Sequence, residues 1–299
     1  MTDQAARLRE MVRVRPPAAV ARASATTDAA MSAPLSRRGI KAIAVTSGKG
    51  GVGKTNIALM LSIALASLRK KVLLFDADLG LANVHILLGV APRRNLSHVA
   101  NGECSIADTI CTGPSGVAIV PGASGVEAMA NLDAARLSVL RGQLAALESE
   151  YDFVVVDTGA GIGAGAVEFA AHADLCLCVM TPEPTSLADA YAMVKVLFDK
   201  GCENVQVLVN MATSDEDGAR TFETLSSLVV KFLKRQVKLA GVLPSDQEIP
   251  RLVRQQKLML LEHPQSSFST RLTAVARRLC GMPASRRGGF FARVFGKEQ

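Results

Sequence analysis

The chain has 299 residues, 49% of them apolar, a net charge of +7 and a mean hydropathy of +0.25, which suits one large α/β domain with tails. No apolar run is long enough to span a bilayer, and the N-terminus lacks the hydrophobic stretch of a signal peptide. The six cysteines, at 104, 111, 176, 178, 202 and 280, form no Cys-x-x-Cys pair and have no histidine set nearby, so they read as reduced core residues, not disulfides or metal ligands.

In chain order, residues 3–14 have the pattern of a short amphipathic helix. Ala5, Leu8, Met11 and Val12 share one face and arginines surround it. Residues 15–39 are rich in Pro, Ala, Ser and Thr, and are expected to be a disordered linker. The folded domain is expected over 40–280, followed by a basic tail at 281–299. The segment 1–39 carries +4 and the tail +3, so the body between them is neutral. A basic excess suggests nucleic acid or anionic lipid as a partner. Its confinement to the ends argues against a broad nucleic-acid groove on the domain.

Residues 41–46 read as a buried strand and 55–68 as a helix. Between them stands Ser47-Gly48-Lys49-Gly50-Gly51-Val52-Gly53-Lys54-Thr55. Gly48, four residues, then Gly53-Lys54-Thr55 is the phosphate-loop pattern. Its glycines let backbone N–H groups turn around an anion, and the helix offers that anion its positive end. Lys54 is expected on the β and γ phosphates of a bound nucleotide and the Thr55 hydroxyl on Mg²⁺. Gly48 through Asn56 are the expected nucleotide-binding stretch.

A second strand, 71–76, ends in Asp76-Ala77-Asp78, which puts carboxylates at the carboxyl edge of a parallel sheet, where ligands bind. Asp76 is expected near the metal shell. A short strand covers 117–120. Leu137, Leu140, Leu144 and Leu147 give the core face of a helix over 133–149. The run 153–157 is a buried strand ending in Asp157, expected to reach Mg²⁺ mainly through water. Thr158-Gly-Ala-Gly-Ile-Gly163 suits a mobile switch loop. Strand 174–180 places Cys176 and Cys178 on one buried face. A helix through 198 follows, with Ser186 as its expected cap. Strand 205–209 ends at Asn210, whose amide can both donate to and accept from adenine's edge. A last strand covers 239–243, and 249–279 read as helical.

The tail has Phe290, Phe291, Val294 and Phe295 on one helical face beside Arg293 and Lys297. About ten residues span roughly 15 Å, too short for the ~30 Å hydrocarbon core. The pattern suits lying in the interface of an anionic membrane, with folding back onto its own domain as the alternative.

With Lys49 ahead of Gly50-Gly51-Val52-Gly53-Lys54-Thr55, the loop resembles the deviant phosphate-loop (Walker A) signature of the MinD/ParA ATPases. The resemblance covers roughly 40–280 and implies a doubly wound, mostly parallel α/β sheet flanked by helices. It also implies an ATP-bound homodimer, with Lys49 acting on the partner subunit's nucleotide and Asp78 beside the attacking water. It supports adenine contact by Asn210 and closure of the base pocket by Pro244 and Asp246. Asp3-Gln4-Ala5-Ala6-Arg7-Leu8-Arg9 resembles the activator motif of one branch, the FlhG (FleN/YlxH) flagellar-number regulators. The segment from Pro182 to Tyr191 is similar to that branch too. The branch stimulates the GTPase FlhF, with Gln4 as the residue reaching its active site. Together these imply an ATPase switch of flagellar number and placement, cytoplasmic and peripheral on the anionic inner membrane when ATP-bound. Flagellar switch proteins or a flagellar transcription regulator are further partners the resemblance allows; no nucleic-acid partner is expected. A septum-site (MinD) or DNA-partition (ParA) ATPase of the same fold is the alternative reading.

Overall fold

The computed structural model describes residues 41–78, 84–90, 92–122, 134–281 and 289–295. All of them belong to one unit, Arg38–Gln299. The expected activator helix with Gln4, the linker and the segment 79–83 after Asp78 lie outside the described residues, as does Lys297.

Eight strands form one sheet: β1 (Lys41–Ser47), β2 (Val72–Ala77), β3 (Cys111–Thr112), β4 (Ala118–Val120), β5 (Phe153–Ala160), β6 (Leu175–Met180), β7 (Val205–Ala212) and β8 (Lys238–Pro244). Their order is β3-β4-β2-β5-β1-β6-β7-β8, parallel throughout except for the two-residue β3, which runs antiparallel to β4. The longer helices are α1 (Lys54–Ser67), α2 (Ala134–Glu148), α3 (Ala164–His172), α4 (Pro184–Asp199), α5 (Asp215–Leu228), α6 (Ser267–Gly281) and the short α7 (Phe290–Phe295).

A parallel sheet has both faces covered, so its strands are continuous apolar runs. β5 shows the division: Phe153 and Val155 enter one core layer, Val154 and Val156 the other. The first layer takes its helical side from α1 and α6, through Ile57, Leu61, Phe268 and Leu272. The second takes Leu140, Leu144 and Leu147 of α2, Phe169 of α3, Met193 of α4 and Leu225 of α5. The expected helix over 133–149 is therefore present as α2; the side chain of Leu137 lies outside the described residues. Cys176 and Cys178 are fully buried in this second layer, and burial pushes the Cys178 thiol up to about 12.

One expectation is refined and one corrected. The region 249–279 is helical in three pieces: short helices at Glu248–Arg254 and Met259–Glu262 precede α6, with Pro264 in the second break. Ser186 does not cap α4. Glu183 holds the N-cap position, Pro184 starts the helix, and the Ser186 hydroxyl instead accepts the Thr181 N–H at 3.0 Å.

The tail takes the alternative arrangement, folded back onto its own domain. Phe290, Phe291 and Val294 are 1%, 0% and 8% exposed, with Phe295 partly buried beside them. Their apolar face, expected against lipid, is packed into the domain's second core layer. Phe291 meets Phe75 of β2 edge-on at 5.1 Å, and Phe295 meets Phe169 of α3 at 6.0 Å. The Glu148 carboxylate at the end of α2 accepts the N–H groups of Phe290 and Phe291 at 2.5 and 3.1 Å, capping α7. Arg293, read as a lipid-facing cation, pairs with Asp174 at 2.9 Å and donates to the His172 carbonyl at 3.0 Å. The physical reason is that α2 and α3 leave Phe75 and Phe169 uncovered, and aromatic rings on a nearby short helix fill that space.

Candidate nucleotide site

The site forms where β1, β2 and β5 end. Gly51 and Gly53 take φ of +82° and +86°, the left-handed region that glycine enters without strain. The loop is also clamped from outside. A Cβ on Gly48 would lie 2.0 Å from the Asp189 carbonyl oxygen of α4, and one on Gly53 would lie 2.7 Å from Nδ2 of Asn210. Only glycine allows these approaches. The first turn of α1 carries no acidic side chain and no side-chain cap, so its N–H groups remain available to an anion.

Lys54, the first residue of α1, is buried, and its ammonium meets Oδ1 of Asp157 at 2.7 Å. Thr55, the next residue of α1, lies beside the same carboxylate and favours its charged form. Asp157 stands directly beside Asp76 across the β2–β5 ladder. Burial holds the Asp157 carboxyl above its ordinary range, partly offset by Lys54. Burial, reinforced by the Asp157 charge, pushes Asp76 up to about 7. Asp76 also holds the chain that leaves β2: its oxygens accept the N–H groups of Asp78 and Val84 at 3.2 and 3.3 Å. The Lys54 ammonium thus pairs with Asp157, not with Asp76, and Oδ2 of Asp157 is buried without a hydrogen-bond partner. An orphaned carboxylate oxygen beside a hydroxyl fits a hard divalent cation such as Mg²⁺.

Asp78 lies against the glycine-rich loop after β5; a Cβ on Gly159 would come within 3.6 Å of its Oδ1. That loop is tied to the phosphate loop by the Gly161 N–H donating to the Ser47 carbonyl at 2.9 Å. Asp78, the glycine-rich loop and the phosphate loop therefore form one cluster. Lys49 behaves differently from Lys54. Its side chain is about a third exposed (35%) and reaches away to Glu183 at 2.6 Å and the Thr185 hydroxyl at 2.9 Å, at the start of α4. Sequence reading missed Glu183 and Thr185 as its partners; the only signal was a polar start to a helix following a buried strand.

Asn210 is buried and donates Nδ2–H to the Val52 carbonyl at 2.9 Å, so part of its amide holds the phosphate loop. Pro244 pairs with Ala212 at the end of the β7–β8 ladder, and Ser245 continues it through its N–H to the Ala212 carbonyl at 2.8 Å. Asp246 follows and accepts the Glu248 N–H at 2.9 Å, a local turn contact at the start of the next helix. Asn56 sits in the first turn of α1 with its Oδ1 buried and unpartnered. The membrane-assigned residues of α7 are not part of this cluster; they are in the core described above.

A family model described as an AAA domain matches residues 40–204. The chain is 42% identical over 252 residues to "Antiactivator FleN" of Pseudomonas aeruginosa, covering 83% of this chain and 90% of that one. It is 34% identical to "Flagellum site-determining protein YlxH" of Helicobacter pylori, covering 79% and 80%. Among solved structures, the septum site-determining protein MinD of Pyrococcus horikoshii, complexed with Mg-ADP, is 25% identical with a TM-score of 0.65, covering 81% of this chain and 96% of that one. With its loop lysines, its paired carboxylates and its parallel sheet, the chain belongs to the MinD/ParA-type P-loop ATPases, in the FlhG branch that includes FleN and YlxH, and is an ATP-hydrolysing enzyme.

Proposed function

We propose that this ATPase is a nucleotide-fed dimer switch that sets flagellar number and placement. The observation that carries the reading is the contrast between its two loop lysines. Lys54 is buried against Asp157, inside its own phosphate cradle, whereas Lys49 projects outward to Glu183 and Thr185. An outward lysine at the mouth of the cradle is placed to reach the nucleotide of a second subunit. The names of the two curated relatives supply the flagellar context.

In this reading Gly48 to Asn56 bind the phosphates of ATP. Thr55 and Asp157, with Asp76 behind them, hold Mg²⁺, which supplies charge neutralisation on the phosphates. Asp78 positions the attacking water. Asn210, Pro244 and Asp246 border the adenine. Dimerisation would place Lys49 on the partner's phosphates. Membrane association through Phe290, Phe291, Val294 and Phe295 requires α7 to leave its seat between α2 and α3. Pairing supplies two tails, and avidity then offsets the cost of undocking each.

The N-terminal segment with Gln4 would stimulate FlhF. The experiment is a GTPase assay of FlhF from the same cell with a peptide of residues 1–14. Stimulation that disappears with Gln4→Ala is expected. No change in GTP turnover with the unaltered peptide would remove FlhF from the reading.

A further inference from the structure

From Val230 to Leu239 apolar and basic side chains alternate. α5 continues into a π-helical turn, Val229–Leu233, and Lys234, with φ of +55°, reverses the chain into β8. Val229 and Val237 are buried in the second core layer, which anchors both ends of the excursion. Between and beside them Val230, Phe232 and Leu239 are 46%, 60% and 40% exposed. Lys231, Lys234, Arg235 and Lys238 are exposed among them, and the stretch contains no acidic residue. Among the described residues none of these four cations forms an ion pair.

We infer that this turn, at the β8 edge of the sheet, is a docking surface for anionic lipid. Position leaves it free to act: it lies where β8 begins, whereas the phosphate loop lies where β1 ends. Charge supplies the attraction, through four basic groups that form no ion pair among the described residues. The chemistry of those groups favours a lipid surface over a discrete phosphate site. Three are lysines, compact point charges suited to a smeared field, and the one arginine spreads its guanidinium over the Phe198 ring at 5.9 Å. Exposed Val230, Phe232 and Leu239 give the headgroup boundary something to receive, which a nucleic-acid backbone does not need. Lys231 lies 5.3 Å from the Phe232 ring, so charge and apolar surface meet at one point. This contact is independent of the tail, because it requires neither ATP nor undocking of α7.

The test is co-sedimentation of the full chain with vesicles of phosphatidylcholine alone or with about one quarter phosphatidylglycerol, without nucleotide and with Mg·ATP. The expected result is binding to the anionic vesicles without nucleotide, weakened by salt, and reduced about tenfold or more by Lys231→Glu with Phe232→Ser. The conservative pair Lys231→Arg with Phe232→Leu should bind as the unaltered chain does, and both variants should retain ATP turnover, which reports folding. The inference is overturned if nucleotide-free protein ignores anionic vesicles, if neutral vesicles bind it equally, or if the disruptive pair binds unchanged. Patch-dependent capture of duplex DNA without vesicle binding also overturns it. An extra increment of binding with ATP reports on the tail, so the two readings fail separately.

Discussion

Asp76 is fully buried beside Asp157, and the Lys54 ammonium pairs with Asp157 rather than with Asp76. Its folded-state affinity for a proton is raised, with titration near about 7 against 3.8 for the ordinary group. A raised acid favours folding while protonated, so nucleotide-free stability should fall as pH rises from about 4 towards 7 and then level. Asp76→Asn should flatten that fall, and the gap in melting temperature between variant and parent should widen with pH. A parallel pH profile for the two would show that Asp76 is not the titrating group. Lys49 calls for the opposite expectation. Its ion pair with Glu183 is half-exposed, and such pairs contribute about 1 kcal/mol or less. Lys49→Ala should leave the melting temperature within a degree or two, while ATP turnover is lost. Unchanged turnover would remove Lys49 from catalysis.

At the scale of elements, α7 is a six-residue helix whose stability is tertiary. Its two fully buried rings, the Glu148 cap and the Arg293–Asp174 pair hold it. Phe291→Ala should destabilise the nucleotide-free protein by about 3–5 kcal/mol, the usual cost of emptying a core aromatic site. A loss below about 1 kcal/mol in denaturant titration would show that the helix spends most of its time undocked. Sequence reading left two arrangements open here. A basic, aromatic terminal helix has the same pattern whether its face meets lipid or a vacant place in its own core. The deciding partners, Phe75, Phe169 and Glu148, lie more than a hundred residues away along the chain. The strands, in contrast, were legible. A run such as Phe153–Val156 has to be buried on both faces, and Gly48-x-x-x-x-Gly53-Lys54-Thr55 has to sit between a strand and a helix. Long-range contacts such as Lys49 with Glu183, or Asn210 with Val52, leave no local pattern to find.

For the whole molecule, the parallel sheet gathers the nucleotide cluster at one of its edges. Where β1, β2 and β5 end, the phosphate loop, Asp76, Asp157 and Asp78 gather. Lys49 leaves that cluster and points to α4, which places a charge where a second copy could take it up. Pairing through nucleotide is the claim on which the switch depends. The most direct measurement is the solution mass of Asp78→Ala by light scattering, with saturating ATP and Mg²⁺. Slowed hydrolysis should trap a dimer with twice the chain's mass of 31.5 kDa, and adding Lys49→Ala should lower its yield. A variant that binds ATP and keeps the mass of a single chain would contradict the account.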